Sequence, residues 1–132
     1  MVEGCEIGGT ENRLPDPSRR DRGACRSASE GVEIIGKRAQ TKTCEAIKGI
    51  LEEGDEIMQE YAGSEALDAG LLAGGQAVEH YEMSRYGTLK TWATQLDMRD
   101  AVKLLDQTLA EEKKTDEALS KLATSAVNAE AA

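Results

Sequence analysis

Phenylalanine is absent from this chain, and the other aromatics are few: one Trp and three Tyr in 132 residues. Strands draw on aromatic and β-branched residues, so a core without them has to come from Leu, Ile, Val, Met and Ala, an alphabet that favours helices. Apolar residues make up only 39% of the chain and charged residues 31%. That balance implies that part of the chain does not pack. No apolar run approaches the roughly 18 residues of a membrane span, so no membrane partner is expected. The first residues, MVEGCEIGG, have neither the basic start nor the apolar stretch of a signal peptide. Three cysteines, Cys5, Cys25 and Cys44, are an odd number without a C-x-x-C pair. They read as free thiols of a reducing cytoplasm and not as a disulfide framework or a zinc site. Positive charge is also in short supply: the formal net charge is −9. A surface that acidic repels phosphate backbones, which excludes nucleic acid as the expected partner.

What is present divides near residue 31. Residues 1–31 carry Gly4, Gly8, Gly9, Pro15, Pro17, Gly23 and Gly31 around a cluster of Arg19, Arg20 and Arg22. They show neither a 3.6-residue nor a 2-residue apolar period, so an irregular or disordered segment is expected there. From Val32 the pattern changes. VEIIG reads as the last turn of a helix stopped by Gly36, followed by the polar connector KRAQTK. The spacing then predicts a helix of about five turns in TCEAIKGILEEGDEIMQEYAG. Thr43 is its expected N-cap, Ile47, Ile50, Leu51, Met58 and Tyr61 its apolar stripe, and Gly63 its end.

A longer helix follows, capped by Ser64 and reaching about Asp97. Gly70, Gly74 and Gly75 lie inside it, a sign of close approach by another backbone, and Gly87 is a point where it could kink. The last helix runs from about Arg99 to Thr124 with a stripe of Val102, Leu105, Leu109, Leu119 and Leu122. The tail from residue 125 to 132 is expected to fray. The organisation read from this pattern is an irregular segment (1–31), a helical domain (32–124) and a tail (125–132).

The residues able to carry chemistry are carboxylates. Glu79 and Glu82 are three apart on the long helix and project from one face, which they share with Leu72, Gly75 and Tyr86. Glu112 and Asp116 are four apart and interrupt the leucine stripe of the last helix. Buried carboxylates cost several kcal/mol each, on the order of 3–5, unless a cation or a hydrogen-bond donor compensates. Iron or manganese held between helices is one such compensation. Ordinary ion pairs with Lys113, Lys114 or Arg85 are the alternative. His80, the single histidine, lies about 100° round the helix from Glu79 and is expected outside that face. It has no Ser, Cys or Asp at a spacing diagnostic of nucleophilic catalysis. AGLLAGG matches neither a phosphate-binding loop nor a dinucleotide fingerprint, and reads as a helix-packing surface.

Three stretches, VEHYE, YGTLKTWA and EEKKTDEAL, occur in order within the last two helices. With TCEAIKGILEEGDEI ahead of them, they resemble the YciE/YciF family of ferritin-like stress proteins over residues 32–124. The resemblance implies an all-α fold of the ferritin-like four-helix-bundle family, of which this stretch retains the crossover helix and the last two long helices. It implies, too, a cytoplasmic homodimer and a di-iron or di-manganese centre with ferroxidase activity. Glu79 and Glu82 match the third-helix carboxylates of the wider class and Glu112 the fourth-helix one, with Asp116 as a further carboxylate ligand. That class has His three residues after the last Glu; here the position is Thr115. The family's first two helices also supply ligands, and only VEIIGKRAQ resembles the end of the second. Any metal site of this chain is therefore expected to be partial, and a non-enzymatic helical protein that has lost the site is the alternative. The Arg, Gly, Pro, Ser and Ala bias of residues 11–31 resembles a GC-rich gene translated out of frame or from a misplaced start. Sequencing upstream and finding no frame that encodes two further helices would dismiss that idea.

Overall fold

The computed structural model describes Gly36 and residues 42–132. The expectations for residues 1–31 and for the VEII turn lie outside the described residues. Gly36 itself has φ +68, the left-handed conformation suited to a glycine stop.

Among the described residues there is no strand, and three helices account for most of the chain. They are α1 (Glu45–Glu60), α2 (Ala66–Gln95) and α3 (Arg99–Leu122). α1 begins after Cys44 and not after Thr43, and no side chain caps it. Its end is marked by Gly63 at φ +75. Ser64 then accepts a hydrogen bond from the Ala66 backbone N–H at 3.1 Å, as expected of a residue at the start of α2. α2 continues through Gly87 without a break.

The connection between α2 and α3 is three residues long. Met98 N–H bonds to the Ala93 carbonyl at 2.9 Å and Asp97 N–H to the Thr94 carbonyl at 3.1 Å, with Asp97 at φ +54. This is the Schellman pattern, with an aspartate where glycine is usual. So short a turn makes α2 and α3 antiparallel neighbours. Contacts at both ends agree: Gly75 lies near Leu119, while Lys90 pairs with Asp106. α1 is antiparallel to α2 as well, since Cys44 meets Tyr81 and Ile57 meets Gly70.

On α3 the positions facing the hairpin partner are Ala101, Leu105, Thr108, Glu112, Thr115, Leu119 and Leu122, all buried or half-buried. Leu72, Gln76, Glu79, Met83, Tyr86, Lys90 and Ala93 are their counterparts on α2. Both rows step by four and three in alternation, the 3.5-residue repeat of paired helices. The small members are the most enclosed: Ala93, Ala101 and Thr108 are 7%, 6% and 4% exposed. Thr108 and Thr115 return their hydroxyls to the carbonyls of Leu104 and Glu111, at 3.2 and 3.0 Å, so neither places an unpaired hydroxyl in the seam.

α1 contributes Ile47, Ile50, Gly54 and Ile57 to the packing. Leu51, Met58 and Tyr61, expected in the same stripe, are exposed. They lie beside the three isoleucines on the helix surface, and a single partner helix covers only the narrower strip. At the other end, the tail expected to fray from Ser125 is helical through Glu130. A π turn (Ala123–Val127) leads into a final α turn (Asn128–Glu130). The widening coincides with Thr124 and Ser125, whose hydroxyls bond to the carbonyls of Ser120 and Leu122 at 2.9 and 3.1 Å. Ala126, Val127 and Ala131 are half-buried there.

Candidate metal centre

Glu79 and Glu112 occupy facing seam positions of α2 and α3, where a leucine would otherwise sit. Glu82 is three residues beyond Glu79, one turn along the same helix. Each of these three half-buried residues offers a carboxylate oxygen within 4.8 Å of the others. The arrangement brings three negative groups together in a medium less polar than water.

Two observations show the strain of that arrangement. Glu79 Oε2 is withdrawn from solvent and has no hydrogen-bond partner. The Glu112 carboxyl is pushed up from 4.5 to about 8, first by burial, then by its hydrogen bond to Glu79 and by the charges of Glu82, Glu79 and Glu111. The proton that Glu112 keeps relieves part of the repulsion at neutral pH. A divalent cation would relieve more of it, so the donors present fit a hard or borderline ion that takes oxygen ligands.

Asp116 stands apart from this cluster. Its Oδ1 accepts a hydrogen bond from Gln76 Nε2 at 3.1 Å and lies 3.0 Å from His80 Nε2, within ion-pair distance. Gln76 Nε2 donates in addition to Ser120 Oγ at 2.9 Å. Four of the sequence-level candidates thus divide into a triad, Glu79, Glu82 and Glu112, and one carboxylate tied to a polar network at the rim. His80 is 62% exposed and joins that rim, consistent with its expected position off the glutamate face. The cation expected at the cluster from Arg85 is placed elsewhere: its guanidinium lies 4.9 Å from the centre of the Tyr81 ring. Thr115, where the wider class has histidine, is buried and hydrogen-bonded within α3.

Sequence reasoning passed over Gln76. The only signal for it was the alternating four- and three-residue step that places it on the seam beside Glu79. The Cys44–Tyr81 hydrogen bond, 2.8 Å long and between residues 37 apart, had no sequence signal at all.

A crossover helix leading into an antiparallel hairpin with acidic residues on its inner face defines part of a ferritin-like helical bundle. Comparison with known proteins makes the assignment specific. Residues 19–132 match a family described as a domain of unknown function, DUF892. The match begins ahead of residue 32, the start expected from sequence patterning. Over 88 residues the chain is 49% identical to the protein YciF of Escherichia coli, covering 67% of this chain and 53% of YciF. It therefore spans about half the length of that relative. The crystal structure of the E. coli stress protein YciF superposes with a TM-score of 0.77 at 40% identity, over 83% of this chain and 70% of that one. The structure of YcfI from Rhodopseudomonas palustris gives 0.73 at 36% identity, over 77% and 65%. The chain belongs to the DUF892 family, the family of YciF, as the VEHYE, YGTLKTWA and EEKKTDEAL motifs imply.

Proposed function

We propose that this chain binds a divalent iron or manganese ion between α2 and α3 through Glu79, Glu82 and Glu112. The observation that carries the reading is the convergence of three half-buried carboxylates, one with an orphaned oxygen and one with its acidity strongly suppressed. Groups in that state release a proton and gain a counter-charge when a cation enters. Glu79 and Glu112, on facing helices, would hold the ion from both sides, and Glu82 would add a third oxygen donor from the α2 side. Iron, when bound, would supply the redox chemistry of Fe(II) oxidation by oxygen or peroxide. The chain's own part is to bind the ion, and to give up the proton that Glu112 holds. A stress-protective role in the cytoplasm follows by extension from the E. coli stress protein. Further ligands from other helices of the bundle would complete a two-ion site of the ferritin-like kind.

Leu89 and Trp92 of α2, with Leu96 just past its end, lie on one face and are 44%, 58% and 70% exposed. An apolar face of this kind supports association of two copies as a homodimer, and a monomer by light scattering would rule that out. The second reading, a non-enzymatic helical module, is favoured by Thr115. It fills the place of the class's histidine ligand and spends its hydroxyl inside α3.

Metal content after anaerobic Fe(II) loading and desalting separates the two readings. Iron at about one or two per chain or per dimer, lost in the variant Glu79→Ala plus Glu112→Ala, supports the metal site. Negligible iron in both proteins leaves the helical module without metal chemistry.

A further inference from the structure

We propose that Asp116 is a positioning residue, which acts through Gln76 and His80 to hold α2 and α3 in the register that sets Glu112 against Glu79. Its purpose rests on the metal reading above; its geometry does not. Asp116 lies one turn beyond Glu112 on α3. Gln76 and His80 are four residues apart on α2 and lie on either side of Glu79 in the chain. The Asp116 Oδ1 takes a hydrogen bond from Gln76 and lies 3.0 Å from His80 Nε2, and Gln76 reaches past it to Ser120 on the next turn of α3. Three polar contacts therefore join two successive turns of each helix directly beside the glutamates.

When ionised the glutamates repel, and in that state they do not hold this register themselves. Gly75 meets only the tip of Leu119, at 3.6 Å from where a Cβ would lie, and the small residues of the seam tolerate sliding. Sliding one helix by a single residue moves it about 1.5 Å. Hydrogen bonds tolerate only a few tenths of an ångström, so such a slip breaks all three contacts. Polar groups on a helical seam are well suited to this task of selecting one register. Asp116 is only partly exposed, 22% at its side chain, whereas His80 closes the network at the solvent edge.

The test compares the intact chain with Asp116→Ala, Asp116→Asn and Glu112→Gln at pH 8. Mn(II) affinity is read from loss of the free-ion EPR signal. Amide hydrogen exchange across residues 76–82 and 112–120 is followed without metal. Asp116→Ala should weaken Mn(II) binding about 10- to 100-fold, the usual cost of losing a group that orients a ligand, and speed exchange. Asp116→Asn keeps an oxygen that accepts the Gln76 bond and can face His80, and should stay close to the wild type in both assays. Glu112→Gln should abolish binding. The proposal is overturned if Asn fails together with Ala, which would make the charge of Asp116 itself the requirement, or if Ala changes neither readout. If the wild type takes up no Mn(II), the metal reading falls, and exchange decides alone. Faster exchange in Ala but not in Asn upholds the positioning role, and equal exchange in both refutes it.

Discussion

Replacing Glu112 by Gln in metal-free protein should stabilise the fold at alkaline pH and leave it nearly unchanged at pH 4.5. The side chain keeps its shape and its seam position while losing the charge that Glu79 and Glu82 oppose. In the folded wild type Glu112 titrates near 8, against 4.5 in the unfolded chain. Between those values the folded state holds more protons than the unfolded one, so stability falls as pH rises through this window. The full benefit of the protonated carboxyl is present below about 4.5 and is lost above about 8. A shift of that size would correspond to ~5 kcal/mol if solvent did not intervene. Glu112 is only half enclosed, and screening reduces the expected effect to about 1–2 kcal/mol. Urea titrations with chelator present, at pH 5, 7 and 9, would measure it. Wild-type stability should decline across the series and Glu112→Gln should decline less, so that the two curves part as pH rises. A wild-type curve no steeper than that of the variant would refute the reasoning, as would a variant less stable than the wild type at pH 9.

Four further outcomes follow from the packing, the turns and the Cys44–Tyr81 hydrogen bond. Gly70→Ala should destabilise by about 1–3 kcal/mol, because its new Cβ would meet Ile57 Cγ2 at 2.7 Å. Gly74→Ala meets nothing within 4 Å and should stabilise by up to ~1 kcal/mol through helix propensity; thermal unfolding of the pair reads both signs. Asp97→Gly should raise stability by about 1 kcal/mol, since the left-handed backbone at φ +54 favours glycine and the bond lost to Arg99 is exposed. A lower midpoint in urea would show that the Asp97 side chain matters more than its backbone strain. The Cys44 thiol is held below its usual range, chiefly by the Tyr81 hydroxyl and then by backbone N–H groups at the start of α1. Tyr81→Phe should raise it and slow alkylation of the Cys44 peptide by iodoacetamide at pH 7.5, and an unchanged rate would dismiss the hydroxyl's role.

The order and approximate limits of the three long helices were legible in the residues, whereas the helical turns from Ala123 to Glu130 were not. Leu and Ile at helical spacing set the segments, Ser64 and Gly63 punctuate them, and the scarcity of aromatics leaves no competing sheet. The family motifs and the two carboxylate pairs were legible too, since i, i+3 and i, i+4 spacing on one helix is a local property. Which carboxylates meet across helices is not local. Glu112 and Asp116 are equivalent in one-dimensional spacing, yet only Glu112 joins Glu79 and Glu82, while Asp116 is taken by Gln76 and His80. Likewise Leu51, Met58 and Tyr61 share a helical stripe with Ile47 and Ile50 but stay exposed, because α2 covers a strip narrower than the stripe. A helix's periodicity determines the direction each side chain takes from its own axis. The rotation and register of that helix against its neighbour depend on how two surfaces fit together, and only the tertiary structure decides them.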